Sequence, residues 1–164
     1  MSTGSRATPR ACACRPPAPG CAPAPRTRRA SATLLRSAIE EFEQTSTSTI
    51  DQATLYLELA CAEYMSNDLD DAGRHAVACR NLLPQYGHVA GAEANLLLGR
   101  IYGAAGKTEE GRDHAAAVER WLQPLPDTRR SASHWYATAE TMEQLGDTDG
   151  AIDAYQRALA CAGL

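Results

Sequence analysis

The pattern of apolar and polar positions predicts helices and no sheet. Large apolar residues recur at helical spacing at Tyr56 and Leu59, at Leu98, Ile101 and Tyr102, and at Trp135 and Met142. A continuous strand-like run of Val, Ile and Thr is missing. Short polar stretches break these runs: SNDLDD, AGKTEE and LGDTDG. In them Gly106 and Gly146 suit the left-handed backbone that ends a helix, and Asn67 is the usual substitute. Asp68, Thr108 and either Asp147 or Thr148 are placed to cap the helix that follows, with acids in its first turn aiding the dipole. Farther forward, SATLLRSAIEEFEQ (31–44) reads as a single helix with Leu34, Leu35, Ile39 and Phe42 on one side.

Three segments align without gaps: YLELACAEYMSNDLDDAGRHAVA (56–78), NLLLGRIYGAAGKTEEGRDHAAA (95–117) and WYATAETMEQLGDTDGAIDAYQR (135–157). The small residue opening each second helix, Ala72, Gly111 and Ala151, recurs at steps of 39 and 40 residues. A fixed period in this range is the mark of a stacked repeat. Each unit reads helix, tight turn, helix. Ala151 sits where two antiparallel helices approach most closely, Tyr155 one turn on is expected in the seam with a next helix, and slim Ala76, Ala115 and Ala158 let neighbouring helices lie close. The extra residues of the long period fall in LLPQYGHV (82–89) and LQPLPDTRRS (122–131).

These residues resemble the tetratricopeptide repeat pattern, W-x2-L-G-x2-Y followed by A-x3-F. Trp135, Ala139, Met142, Gly146, Ala151, Tyr155 and Ala158 carry the resemblance in the third unit. Leu98, Gly99, Tyr102, Gly106 and Gly111 carry it in the second, and Leu59, Ala60, Ala72 and Ala76 in the first. The first unit departs with Glu63 where the aromatic belongs, and the second with Ala115 at the seam. The resemblance spans residues 51–164 and implies an all-α solenoid of three hairpins, at about 51–89, 90–130 and 131–164, behind one leading helix. Its length and Arg- and Ala-rich composition are also similar to the repeat region of actinobacterial helix-turn-helix transcriptional regulators, but no helix-turn-helix occurs here.

In such a stack the first helix of each pair lines the concave side. The resemblance therefore places Leu57, Cys61 and Tyr64, then Leu96 and Arg100, then Tyr136, Glu140 and Glu143 along a partner groove. Apolar contacts would come from Leu57, Tyr64, Leu96 and Tyr136, with Arg100 and Glu140 setting orientation. Packing of some of these on a neighbouring helix or a second subunit stays equally open. The function expected is a non-catalytic protein- or peptide-binding scaffold. The alternative is a sensor or dimerisation part of a regulator whose DNA-binding domain is absent from this chain.

Charge narrows the partner class. Residues 1–39 hold seven of the sixteen basic residues and no acid, so the remainder carries nine basic and all twenty acidic residues. An acidic repeat region is a poor surface for nucleic acid, and none is expected as a direct partner. No stretch approaches the roughly 20 apolar residues of a membrane span, and no apolar leader precedes Ser31; a cytoplasmic chain is expected. Residues 1–30, rich in Pro, Ala, Arg and Cys, are expected to be disordered.

Candidate chemistry is thin. His75 and His114 occupy equivalent places in units one and two, where the third has Ala154. They read as helix-surface or seam residues, since a zinc site needs three or four converging ligands. Cys61, Cys79 and Cys161 read as buried small apolar residues, with no disulfide expected. No G-x-S-x-G, P-loop or H-E-x-x-H motif occurs, so neither catalysis, metal nor cofactor is expected.

Overall fold

The computed structural model describes residues 25–45, 48–83 and 86–164. These form seven helices: α1 (Pro25–Thr45), α2 (Thr49–Met65), α3 (Leu69–Leu82), α4 (Val89–Ala104), α5 (Thr108–Leu122), α6 (Arg129–Gln144) and α7 (Thr148–Ala162). The expected leading helix starts earlier than expected, at Pro25, so residues 25–30 are helical; the remainder of the expected disordered tail lies outside the described residues. The helical reading of 51–164 holds, and the two longer connections follow α3 and α5 as anticipated.

The same backbone device closes all three hairpins. Asn67, Gly106 and Gly146 have φ of 63°, 77° and 73°. One residue later an amide reaches back five residues: Asp68 to the Glu63 carbonyl, Lys107 to Tyr102 and Asp147 to Met142, each 2.9 Å. This is the six-to-one bond that satisfies a free carbonyl at a helix end. The expected caps fare less evenly. Asp147 accepts from the Gly150 amide at 3.1 Å. Asp68 is the N-cap of α3 but makes no side-chain cap bond, and at α5 the cap is Lys107, with Thr108 already inside the helix. Acids in the first turn of each helix, Asp70, Asp71, Glu109 and Glu110, still oppose the dipole there.

Helices pair α2 with α3, α4 with α5 and α6 with α7, while α1 lies against α2. Successive hairpins join where α3 meets α4 and α5 meets α6, and the first helices also touch along the row α2, α4, α6. The second helices stand farther apart and leave open clefts, of about 610 Å³ between α5 and α7 and about 450 Å³ beside α3 and Tyr102. An inner row in contact and an outer row spread apart is the arrangement of an all-α solenoid.

Small residues set the spacing. A methyl group on Gly111 would lie 3.0 Å from the Gly99 carbonyl oxygen and 3.0 Å from Leu145 Cδ2. One on Gly103 would lie 2.6 Å from the same Leu145 carbon. Leu145, the last residue before the third turn, thus drops onto bare backbone of α4 and α5, and Arg112 Nε donates to its carbonyl at 2.9 Å. Ala72 and Ala151 are buried at the matching places. Core packing runs without a break from Ala53 on α2 to Ala158 on α7. Ile39 on α1 joins Leu59 in a smaller cluster at the front.

Candidate functional site

The side chains predicted to line a groove divide into two sets. Leu57 and Leu96 are 5% and 2% exposed and belong to the packing between hairpins, as does Cys61. They are therefore withdrawn from any ligand, because the first helices of this stack pack directly on one another. Cys61 is also disulfide-bonded, so the expectation of no disulfide is corrected there. Cys79 and Cys161 are free. Tyr64 is half-buried against the core. Arg100 is half-buried and its Nε donates to Thr141 Oγ1 at 3.1 Å, across the junction of hairpins two and three. That bond makes it a strut between hairpins before it is an anchor for a ligand.

The remaining three stay accessible and lie together. Tyr136 is 47% exposed and meets Tyr155 edge-on, with ring centres 5.4 Å apart. The Tyr155 hydroxyl donates to Glu143 Oε2 at 3.1 Å, and Glu140 lies one turn before Glu143. Tyr155's pKa is raised, by desolvation first and then by the bond to Glu143 and the charges of Glu143 and Glu140. Its expected place in a seam with a next helix is corrected: it rests on α6 of its own hairpin.

Two residues missed in the sequence extend this patch. Ile152 and Leu159 are 50% and 51% exposed, and with Tyr155 they fall on one face of α7. Their counterparts show what is unusual. Leu57 and Leu96 take the place of Tyr136, Ala76 and Ala115 that of Tyr155, and Gly73 and Arg112 that of Ile152. A methyl on Gly73 would touch Ile101 of the following hairpin, and Arg112 bonds Leu145 of the one after. At the places of Tyr136 and Ile152 this face is wholly or partly covered by the next hairpin in units one and two, whereas on α7 it is uncovered among the described residues; at the place of Leu159 unit two keeps Glu119 exposed. The signal was present: Ile152 and Leu159 are apolar where the earlier units have Gly73, Arg112, Arg80 and Glu119.

The paired histidines occupy equivalent seats filled with different chemistry. His75 stacks on Tyr56, with centroids 5.8 Å apart, and its Nδ1 lies 2.6 Å from Glu63 Oε2. Glu63, 1% exposed, also receives Arg36 from α1 at 2.6 Å. Asp71 bonds Arg36 at 3.5 Å and pairs with Arg74. The acid that breaks the repeat pattern thus ties α1, α2 and α3 together. Tyr56 closes the network by donating to Glu43 at 2.7 Å, a bond that raises its pKa, with burial and the Glu43 charge adding to it. His114 stacks on Tyr102 at 5.1 Å and faces Asn95 Oδ1 at 3.4 Å; burial, then Arg80, lowers its pKa. In the third seat Ala154 leaves the space over Trp135 open, and Arg157 lies 5.9 Å above that ring. No three His, Cys, Asp or Glu side chains among the described residues are grouped to hold a metal ion. No helix among them is long and apolar enough to cross a membrane.

No protein-family model matches the chain, and no curated protein matches it either. Among solved structures, BtubC (BKLC) from P. vanneervenii is similar, with a TM-score of 0.66 over 82% of this chain at 19% identity. This is a helical-repeat protein fold. The match spans 56% of the BtubC chain, so the present chain corresponds to little more than half of it.

Proposed function

We propose that the protein is a non-catalytic scaffold of the tetratricopeptide-repeat kind that binds another protein or a peptide at the exposed end of α6 and α7. One observation carries the reading. Tyr136 and Ile152 are each about half exposed at places that the two earlier hairpins bury or partly cover with their successors, and Leu159, also half exposed, puts an apolar side chain where unit two has the exposed charge of Glu119. Contiguous apolar surface rimmed by charge marks an interaction site more often than it marks a neutral surface. The three units in one register and the shared turn geometry support the repeat assignment, and the fold likeness to BtubC is compatible with it. The binding set is Tyr136, Tyr155, Ile152, Leu159, Glu140 and Glu143, in place of the longer groove predicted from sequence.

Photo-crosslinking in the native host tests this. A photoreactive residue at Tyr136 should capture a discrete protein, and one at Arg74, exposed on α3, should not. Equal labelling from both positions refutes the assignment.

A further inference from the structure

The exposed face of α7 has the form of a helix seat. On hairpins one and two the corresponding face receives α4 and α6, each lying along the second helix of the preceding pair. On hairpin three the seat differs in two ways. The bare backbone at Gly103, which admits Leu145, is replaced by Glu143, and Ala115 by Tyr155. The Tyr155–Glu143 hydrogen bond spans the place that an incoming leucine would need. A helix docking there must therefore sit farther out and must answer carboxylates with donors. Both acids, Glu140 and Glu143, lie toward the turn at Gly146. Arg129, on the same stripe three helical turns before Glu140, marks the opposite end. On the apolar side, Ile152, Tyr155 and Leu159 form a stripe at the spacing of one helix face.

We infer that this seat accepts an amphipathic helix from a partner protein, apolar along one face and basic at the end that meets Glu140 and Glu143. The inference rests on the scaffold reading above and adds the partner's shape and charge. The acidic end formed by Glu140 and Glu143 is what selects a basic partner helix, and self-association of the chain is the competing outcome of the test.

The probe is a fluorescein-labelled synthetic helix with leucines at i, i+3, i+4 and i+7 and three arginines at one end. Its twin carries glutamates in place of the arginines. With the full chain, anisotropy titration should give at least tenfold tighter binding of the arginine helix than of its twin. Exchange of both acids, Glu140→Lys with Glu143→Lys, should reverse that preference. Ile152→Asp with Leu159→Asp should weaken the arginine helix at least tenfold while circular dichroism stays unchanged. The comparison of twins on the unaltered chain needs no variant and decides the matter even if a variant unfolds. Equal affinity for the twins, or no binding of either, overturns the inference. So does sedimentation showing self-association that Ile152→Asp with Leu159→Asp abolishes. A native protein captured at Tyr136 together with no preference between twins would leave the scaffold reading intact and remove the basic helix.

Discussion

Leu145 and Gly103 provide a direct test of how the hairpins nest. The Leu145 side chain is buried, and its Cδ2 lies where a side chain on Gly103 would begin. Leu145→Ala removes three carbons from a packed junction and should cost about 3 kcal/mol, within the range of roughly 2–5 for such truncations. Gly103→Ala relieves a helical glycine, a gain of up to about 1 kcal/mol. It also forces a 2.6 Å approach on Leu145, and overpacking of that sort costs about 1–3 kcal/mol. The single variant should therefore be mildly destabilised. In the double variant the new methyl enters vacated space. The clash disappears, the glycine relief remains, and about 0.8 kcal/mol of buried methyl returns. The double variant should then lie roughly 2–3 kcal/mol above the sum of the two singles, the upper range of coupling seen between touching residues. Urea unfolding of the four proteins, monitored by helical ellipticity, measures the cycle. Additivity to within about 0.5 kcal/mol, the behaviour of separated sites, would refute the claim that Leu145 docks on Gly103.

Other parts of the molecule make independent predictions. His134 is buried with neither ring nitrogen hydrogen-bonded, and desolvation lowers its pKa from 6.5, outweighing Glu93 at 3.6 Å; Arg130 lowers it further. Protonation then favours the unfolded chain, so stability holds above the usual value of 6.5 and falls as pH drops below it toward the folded pKa. His134→Leu should lose less stability than the parent between neutral and mildly acidic pH; an identical loss would rule out His134 as its source. Cys79 is buried and its thiol is pushed up to about 12, by burial and then Glu93. It should ignore a maleimide at pH 8 until the protein unfolds, and rapid labelling of the native chain would contradict its placement between α3 and α4. Glu63→Ala strands Arg36 and His75 and should cost about 2 kcal/mol, below the roughly 3–5 for fully buried pairs because Arg36 reaches solvent. A loss under about 0.5 kcal/mol, the range of ordinary surface substitutions, would make the network incidental.

The residues that were readable in advance are those whose requirement is local. A left-handed backbone at Asn67, Gly106 and Gly146, and a small side chain at Ala72, Gly111 and Ala151, are demanded by the turn and by two helices of one hairpin. Sequence spacing is enough to show both, and with them the helices, their order and the solenoid. It also flagged Glu63 as out of pattern. What it could not show was the answer to that charge, because Arg36 lies 27 positions away on a helix outside the repeat. Cover from the next hairpin was equally invisible. Leu57, Leu96 and Tyr136 hold one register and have one periodicity, yet two are buried and one is open. Period defines which face a side chain takes on its own helix. Whether that face meets water depends on the neighbour stacked against it, and burial is a property of the pair of surfaces rather than of either strip of sequence.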